Sequence, residues 1–376
     1  MAAKTGKELL LSSFGRVQKP VVSTGILPLD LILGKGFTLG GMYGLGASEG
    51  SGKSTMMLQM CKYMIEQHNL NVCYCDVEQG VTDEMLESMG LAQYGPDRFL
   101  LVQDCVTFSD LQKLSNLLIE TKKDANYSVL IVDSLTSVAP AKIIDGDVEA
   151  VKVAPSAKPM SEWVKAVRGR LGVARIGCVV IGQARQNIGG GMWDPDTYVA
   201  MPKAVQHAVD TMITIEHKKT KSTQMYVDRL TPSGTEAISI GFWGKIWTMK
   251  NKKGLDTIKM PMPVIFGKGV DNVLFVRKTL LDTNLVTRYG EKYTLTFDNN
   301  EVIKGDDLFT QFVAENYDAL VDMLKEQGYY DMSNNVDLLL NKSGGQSFIS
   351  TCERATESES VLDEAEQDEE SEIQWK

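Results

Sequence analysis

The sequence predicts an α/β fold in which a mostly parallel, twisted sheet is flanked by helices. Two observations carry that prediction. Short apolar runs suited to buried strands alternate with helical runs of about ten residues, the spacing of parallel βαβ units joined by right-handed crossovers. A glycine-rich turn, Ala47-Ser48-Glu49-Gly50-Ser51-Gly52-Lys53-Ser54-Thr55, lies between the apolar run Met42 to Gly46 and the amphipathic stretch Met56 to Ile65. Strand, glycine-rich turn and helix, in that order, form the setting of a phosphate-binding loop.

Taken in order, residues 1–22 read as an arm, helical over Lys7 to Phe14 and extended toward Pro20. Ser23 to Gly34 reads as a capped short helix that leads to the first strand. Beyond the loop, Asn71 to Val77, Phe99 to Gln103, Ser128 to Asp133 and Ile176 to Gly182 read as strands. Thr82 to Met89, Asp110 to Thr121 and Ser161 to Val173 read as the helices between them. Met212 to Ile215, Gln224 to Arg229, Ala237 to Met249 and Pro263 to Phe266 extend the sheet, partly antiparallel. Ile144 to Pro159 and Ala184 to Pro202 match no element, and connections that long inside a domain are functional or disordered. After Gly267 the pattern changes: Asp271 to Leu281, Lys292 to Phe297 and Asp306 to Glu326 suggest a small α/β cap. The expected organisation is thus an arm at 1–22, a core at 23–267, a small C-terminal domain at 268–333 and a polar, then acidic, tail at 334–376.

Composition narrows the class. With 376 residues and 43% apolar content the chain can bury a full core and an appended small domain. No run of about 18 apolar residues and no signal-peptide pattern is present, so the expectation is a soluble, unexported protein with no membrane partner. The six cysteines, Cys61, Cys73, Cys75, Cys105, Cys178 and Cys352, form no C-x-x-C pair and are expected as reduced thiols in a cytoplasmic compartment. Net charge is −10, yet Glu353 to Lys376 carries ten acidic residues against Arg354 and Lys376. The body is therefore close to neutral, and the tail is read as a solvated disordered end. A tethered polyanion of this kind can also compete with DNA for basic loops.

The chemistry concentrates at strand ends. In the glycine-rich loop, backbone N–H groups and a helix N-terminus would hold a polyphosphate, and Gly50 and Gly52 let the backbone approach it. Lys53 can reach the β- and γ-phosphates, and the Ser54 hydroxyl is placed to ligate Mg2+. Val129-Leu130-Ile131-Val132-Asp133 is an apolar strand that ends in a carboxylate, where Asp133 would complete the Mg2+ shell with Ser54. Asp76 and Glu78, two apart, would share a face of their strand, with Glu78 the candidate for polarising an attacking water. Gln183 ends a further buried strand with an uncharged amide able to sense a γ-phosphate and pass its loss to the loop beyond.

These residues together resemble the RecA family of ATP-dependent DNA strand-exchange proteins. The likeness runs in order through Ser23-Thr24-Gly25 with Leu29-Asp30, the phosphate loop with Glu49, Asp76-Val77-Glu78, Val132-Asp133-Ser134, Gly182-Gln183, Lys250-Asn251-Lys252, and Phe266-Gly267-Lys268-Gly269-Val270. It implies a RecA-type P-loop ATPase core with ATP and Mg2+ as cofactors. It also implies Glu78 as catalytic glutamate, Gln183 as nucleotide-sensing glutamine, and Lys250 and Lys252 as cations reaching a neighbouring subunit's ATP in a helical filament. The two long unassigned stretches stand at the family's DNA-binding loops, the second offering Arg185, Asn187, Ile188, Gly189 and Trp193 to single-stranded and double-stranded DNA. Met85 stands where the family commonly stacks a tyrosine on adenine, and the arm is the segment that docks adjacent protomers. The tail and lean architecture suit a bacteriophage version. The resemblance implies a recombinase that forms filaments on single-stranded DNA and hydrolyses ATP in response to it, served by a loader or single-strand-binding protein. Two alternatives share the core: a regulatory paralogue or mediator that binds ATP without exchanging strands, and a ring helicase with Arg277 or Arg288 as its arginine finger.

Overall fold

The computed structural model describes residues 18–34, 36–122, 126–140, 156–186, 197–217, 220–231, 234–252 and 259–330. The expected helical arm Lys7 to Phe14, the tail from 334 and most of both long stretches lie outside the described residues. The chain divides into two compact units: Met1–Ser23, Lys35–Gly46 and Cys61–Met212 form one, and Thr24–Gly34, Ala47–Met60 and Ile213–Lys376 the other. The cuts fall inside the strand Met42–Ala47, the helix Lys53–His68 and the strand Thr211–Glu216.

In the first unit, β1 (Val21–Val22) and β2 (Phe37–Thr38) form a small antiparallel pair. The main sheet contains β3 (Met42–Ala47), β4 (Asn71–Asp76), β5 (Phe99–Val102), β6 (Tyr127–Asp133) and β7 (Gly177–Gln186) in the spatial order β3-β7-β6-β4-β5. The pairs β4/β5, β4/β6 and β6/β7 are parallel, as the alternation of strands and helices predicts. Every residue of β3 and of β6 is buried, which is why these strands read as continuous apolar runs and not as alternating ones.

The helices begin where their caps place them. Thr107 and Asp110 form a reciprocal capping box, so the helix is Phe108–Glu120 and starts two residues before the expected Asp110. Thr82 likewise caps Asp83–Ser88 instead of belonging to it. The next helix is Ala157–Ala174, four residues earlier than predicted, because Pro159 is tolerated within a first turn. It therefore takes in the end of the stretch read as unassigned through Pro159. The Trp163 indole N–H donates to Ser115 Oγ at 3.2 Å, tying these two long helices together.

In the second unit the short helix is Leu27–Ile32, and the Thr24 backbone N–H and hydroxyl both donate to Asp30 Oδ1, at 2.8 and 2.7 Å. This staple gives the Thr24 to Asp30 spacing its physical meaning. β8 (Thr197–Val199) belongs to the first unit and β9 (Thr211–Glu216) carries the chain into the second, where β10 (Gln224–Thr231), β11 (Gly234–Asn251), β12 (Lys259–Ile265) and β13 (Gly269–Val270) form an antiparallel run. Beyond it stand the helix Asn272–Asp282, a three-stranded antiparallel sheet and two helices. The sheet comprises β14 (Val286–Tyr289), β15 (Lys292–Leu295) and β16 (Glu301–Lys304), of which only the middle strand was expected. The segment Asp306 to Glu326, expected as one helix, is two, Asp306–Glu315 and Tyr317–Glu326. Asn316 ends the first by donating its Nδ2 to Phe312 O, and its own carbonyl opens the second.

Candidate nucleotide and DNA site

The phosphate loop has the conformation its chemistry needs. Gly50 and Gly52 sit at φ +74° and +78°, the left-handed region open to glycine and the backbone alternation that an anion-binding concavity uses. Ser51 closes the turn: it is fully buried and its Oγ donates to Ser48 O at 2.7 Å. The helix Lys53–His68 follows at once, with Met56 N donating to Gly52 O at 2.9 Å, while Glu49 is exposed and Lys53, Ser54 and Thr55 are half-exposed. This is a fit for a polyphosphate at a helix N-terminus. Lys53 and Ser54 are the half-exposed side chains that immediately follow the loop's glycines.

The second unit also supplies the loop's seat. A Cβ on Gly52 would lie 3.2 Å from Val264 Cγ1 and 3.6 Å from Phe242 Cζ, so strands β11 and β12 abut the loop directly. About two turns further along the helix, the Gln59 amide clamps Val270, donating to its carbonyl and accepting from its N–H, both at 2.8 Å. Gly269, at φ +99°, has Gln59 Oε1 only 2.3 Å from where a Cβ would stand. Phe266-Gly267-Lys268-Gly269-Val270 is thus a structural partner of the phosphate-loop helix. At the end of β11, Asn251 is buried and donates to Ile32 O at 2.9 Å, while Lys250 is half-exposed and Lys252 exposed. The buried amide anchors the strand end that carries both lysines.

In the first unit the strand-end carboxylates have divergent roles. Asp76, 1% exposed, accepts from Gly80 N, Val81 N and Gln103 Nε2. It pins the turn that follows β4. The strand stops at Asp76, so Glu78 does not share a strand face with it as expected; Glu78 is exposed on the turn. The turn also hangs from β6, Val77 N donating to Asp133 O at 2.7 Å. Glu78 Oε1 accepts from Ser134 Oγ at 2.6 Å and from Ser137 Oγ at 3.0 Å. Asp133 is buried and accepts from Tyr74 OH at 2.8 Å. Burial first, and then the Asp133 charge, push the Tyr74 phenol well above its ordinary range, so it stays a donor. The Asp133–Ser134 peptide bond is cis.

Gln183 is exposed but does not end its strand. β7 continues to Gln186, and Ala184, Arg185 and Gln186 pair antiparallel with Val199, Tyr198 and Thr197 of β8. Arg185 therefore lies in a hairpin strand and not in the loop where it was expected, whereas Asn187, Ile188, Gly189 and Trp193 lie outside the described residues. The hairpin fixes two glycines. A Cβ on Gly46 would stand 2.1 Å from Val199 Cγ2, and one on Gly182 would stand 3.2 Å from Val199 Cγ1 and 2.6 Å from Met201 Cε. Gly46 is a packing glycine beside the phosphate loop, and Ala47 opens the loop proper. Met85 is half-exposed on the helix Asp83–Ser88.

The RecA N-terminal domain family matches residues 4–271, well over half of the chain. The chain belongs to the RecA family. Protein RecA of Nostoc punctiforme is 24% identical over 312 residues, 82% of this chain and 80% of that protein. Protein RecA of Synechococcus elongatus is 26% identical over 298 residues, covering 78% and 77% of the two chains. That of Synechococcus sp. strain CC9605 is 25% identical over 316 residues, covering 84% and 78%.

Within this RecA-family chain, sequence reasoning missed the groups that hold the carboxylates: Ser137 on Glu78, Tyr74 on Asp133 and Gln103 on Asp76. The cluster Ser134, Thr136, Ser137 just past a strand-end aspartate was the available signal. Arg277 and Arg288, offered as arginine fingers, are engaged inside the C-terminal module. Arg277 donates to Tyr293 OH and Asp306 and packs on the rings of Tyr293 and Phe309; Arg288 packs on Tyr293 and donates to Gly290 O. Among the described residues no helix is long and apolar enough to cross a membrane.

Proposed function

We propose that this RecA-family chain is an ATP-dependent recombinase. It polymerises on single-stranded DNA, pairs it with homologous duplex and hydrolyses ATP to ADP and phosphate when DNA is bound. The observation that carries this reading is a left-handed-glycine phosphate loop at a helix N-terminus, in a family member that also keeps an exposed, hydroxyl-bound glutamate after β4. Lys53 and the loop N–H groups bind the triphosphate. Ser54 and Asp133 are oxygen donors of the type Mg2+ takes, and the ion supplies charge neutralisation at the phosphate oxygens. Glu78 accepts a proton from the attacking water, and Gln183 reports the γ-phosphate to the hairpin it shares with Arg185.

Family membership supports the remaining assignments. Lys250 and Lys252 complete hydrolysis across a filament interface. The segments around 145–159 and 187–196 contact DNA, with Arg185 on phosphates and Ile188 and Trp193 on bases. The arm at 1–22 docks protomers, 23–267 forms the ATPase core, 268–333 the small domain, and the tail limits duplex access. A loader or single-strand-binding protein assists on coated DNA, in a cytoplasmic setting. The engagement of Arg277 and Arg288 inside the small domain weighs against the ring-helicase alternative.

The test is ATP hydrolysis with and without single-stranded DNA, together with electron microscopy in a slowly hydrolysed ATP analogue. DNA-stimulated turnover and helical filaments are expected. Absence of both refutes the reading.

A further inference from the structure

We infer that Ser137, with Ser134 behind it, is a positioning residue that fixes the Glu78 carboxylate for hydrolysis. The inference rests on the hydrolytic role proposed for Glu78. A glutamate on an exposed turn carries three rotatable side-chain bonds and loses that freedom at a cost unless its carboxylate is held. The backbone around Glu78 is already fixed, through Asp76 on one side and Asp133 O on the other. A cluster of hydroxyls holds the side chain. Ser134 Oγ and Ser137 Oγ both meet the same oxygen, Oε1, and lie 2.8 Å from each other; Thr136 Oγ1 stands 3.2 Å from Ser134 Oγ.

Each hydroxyl has a single proton. The Ser134 proton goes to Glu78 at 2.6 Å, so the Ser137 proton is shared between Oε1 and Ser134 Oγ, and Thr136 supplies a further donor to Ser134. The result is a fan of polarised O–H groups aimed at one carboxylate oxygen, each strengthening the next. It holds the second oxygen in a fixed direction.

Ser134 is fully buried, whereas Ser137 is exposed at the end of the 3-10 turn Leu135–Ser137. Its backbone N–H donates to Ser134 O at 3.1 Å, a bond that alanine keeps. Deleting the Ser137 hydroxyl therefore opens no cavity and leaves the turn intact. Its loss should be felt in the rate and not in folding.

The experiment measures kcat and KM for ATP in the full chain with excess oligo(dT), comparing wild type, Glu78→Gln, Ser137→Ala and Ser137→Thr. Ser137→Ala should lower kcat about three- to tenfold, the loss expected of one partly exposed hydrogen bond to a carboxylate, with KM within about twofold. Ser137→Thr, which restores the hydroxyl, should recover kcat to within about twofold. The inference is overturned if Ser137→Ala keeps the wild-type kcat while Glu78→Gln is inactive, if KM rises in place of the fall in kcat, or if threonine fails to rescue. If wild type shows no DNA-stimulated hydrolysis, or Glu78→Gln retains it, the functional reading itself falls first.

Discussion

Replacing Gly269 by alanine tests how the phosphate-loop helix is seated. Two costs can be worked from the structure. At φ +99° a Cβ strains the backbone by about 1 to 2 kcal/mol. The same Cβ would stand 2.3 Å from Gln59 Oε1, so Gln59 must leave and forfeit both bonds to Val270, at about 1 kcal/mol each. Gly269→Ala should therefore lower stability by about 3 to 4 kcal/mol, read from urea unfolding by the fluorescence of Trp243 and Trp247 in the same unit. The mechanism has a sharper consequence. In a Gln59→Ala background the clamp is already gone, so Gly269→Ala should cost only the backbone strain, a coupling of about 2 kcal/mol in the double-mutant cycle. An additive cycle, or a Gly269→Ala variant within about 0.5 kcal/mol of wild type, would refute the reasoning.

Other predictions follow the same logic. Gly46→Ala should cost about 1 to 3 kcal/mol in urea unfolding, because its Cβ would overlap Val199 Cγ2 inside a packed core. Glu78→Gln should slow DNA-stimulated hydrolysis by roughly 10²- to 10⁴-fold while fluorescent-nucleotide affinity stays within a few-fold. Lys122, whose amine donates to Tyr127 O and Ser128 Oγ, is pushed down to about 8 by burial. Between that value and the unfolded value of about 10.4 the unfolded chain binds more protons, so this residue makes stability rise with pH. Lys122→Met should lack that rise when urea midpoints at pH 7 and pH 10 are compared with wild type, and parallel curves would contradict it.

The first unit was legible because its inner strands are buried on both faces, so β3 and β6 announce themselves as unbroken apolar runs and their termini mark Ala47 and Asp133. Helix starts were less legible, since Thr107 and Thr82 act through local hydrogen bonds that apolar periodicity does not register. The outer strands of the C-terminal three-stranded sheet were missed although their turns are written in the sequence. Gly290-Glu291 is a two-residue turn between β14 and β15 with Gly290 at φ +59°, and Asn299 and Asn300 both adopt positive φ in the five-residue connection from β15 to β16. The break at Asn316 had no proline or glycine to mark it, and the apolar stripe runs through it. At the site, residue identity pointed to Asp76 and Glu78 together. Only the end of β4 separates them, turning one inward as a staple and leaving the other exposed. Gly46 is explained by Val199, distant from it in sequence, and Gly182 by Val199 and Met201 across its own hairpin.

Strand exchange between a fluorescently labelled single strand and a homologous duplex, followed by energy transfer with ATP and Mg2+, tests the proposed function most directly. Displacement of the resident strand by wild-type protein, dependent on ATP and on homology, is the predicted result. A protein that hydrolyses ATP in response to DNA yet leaves the duplex unchanged would contradict it.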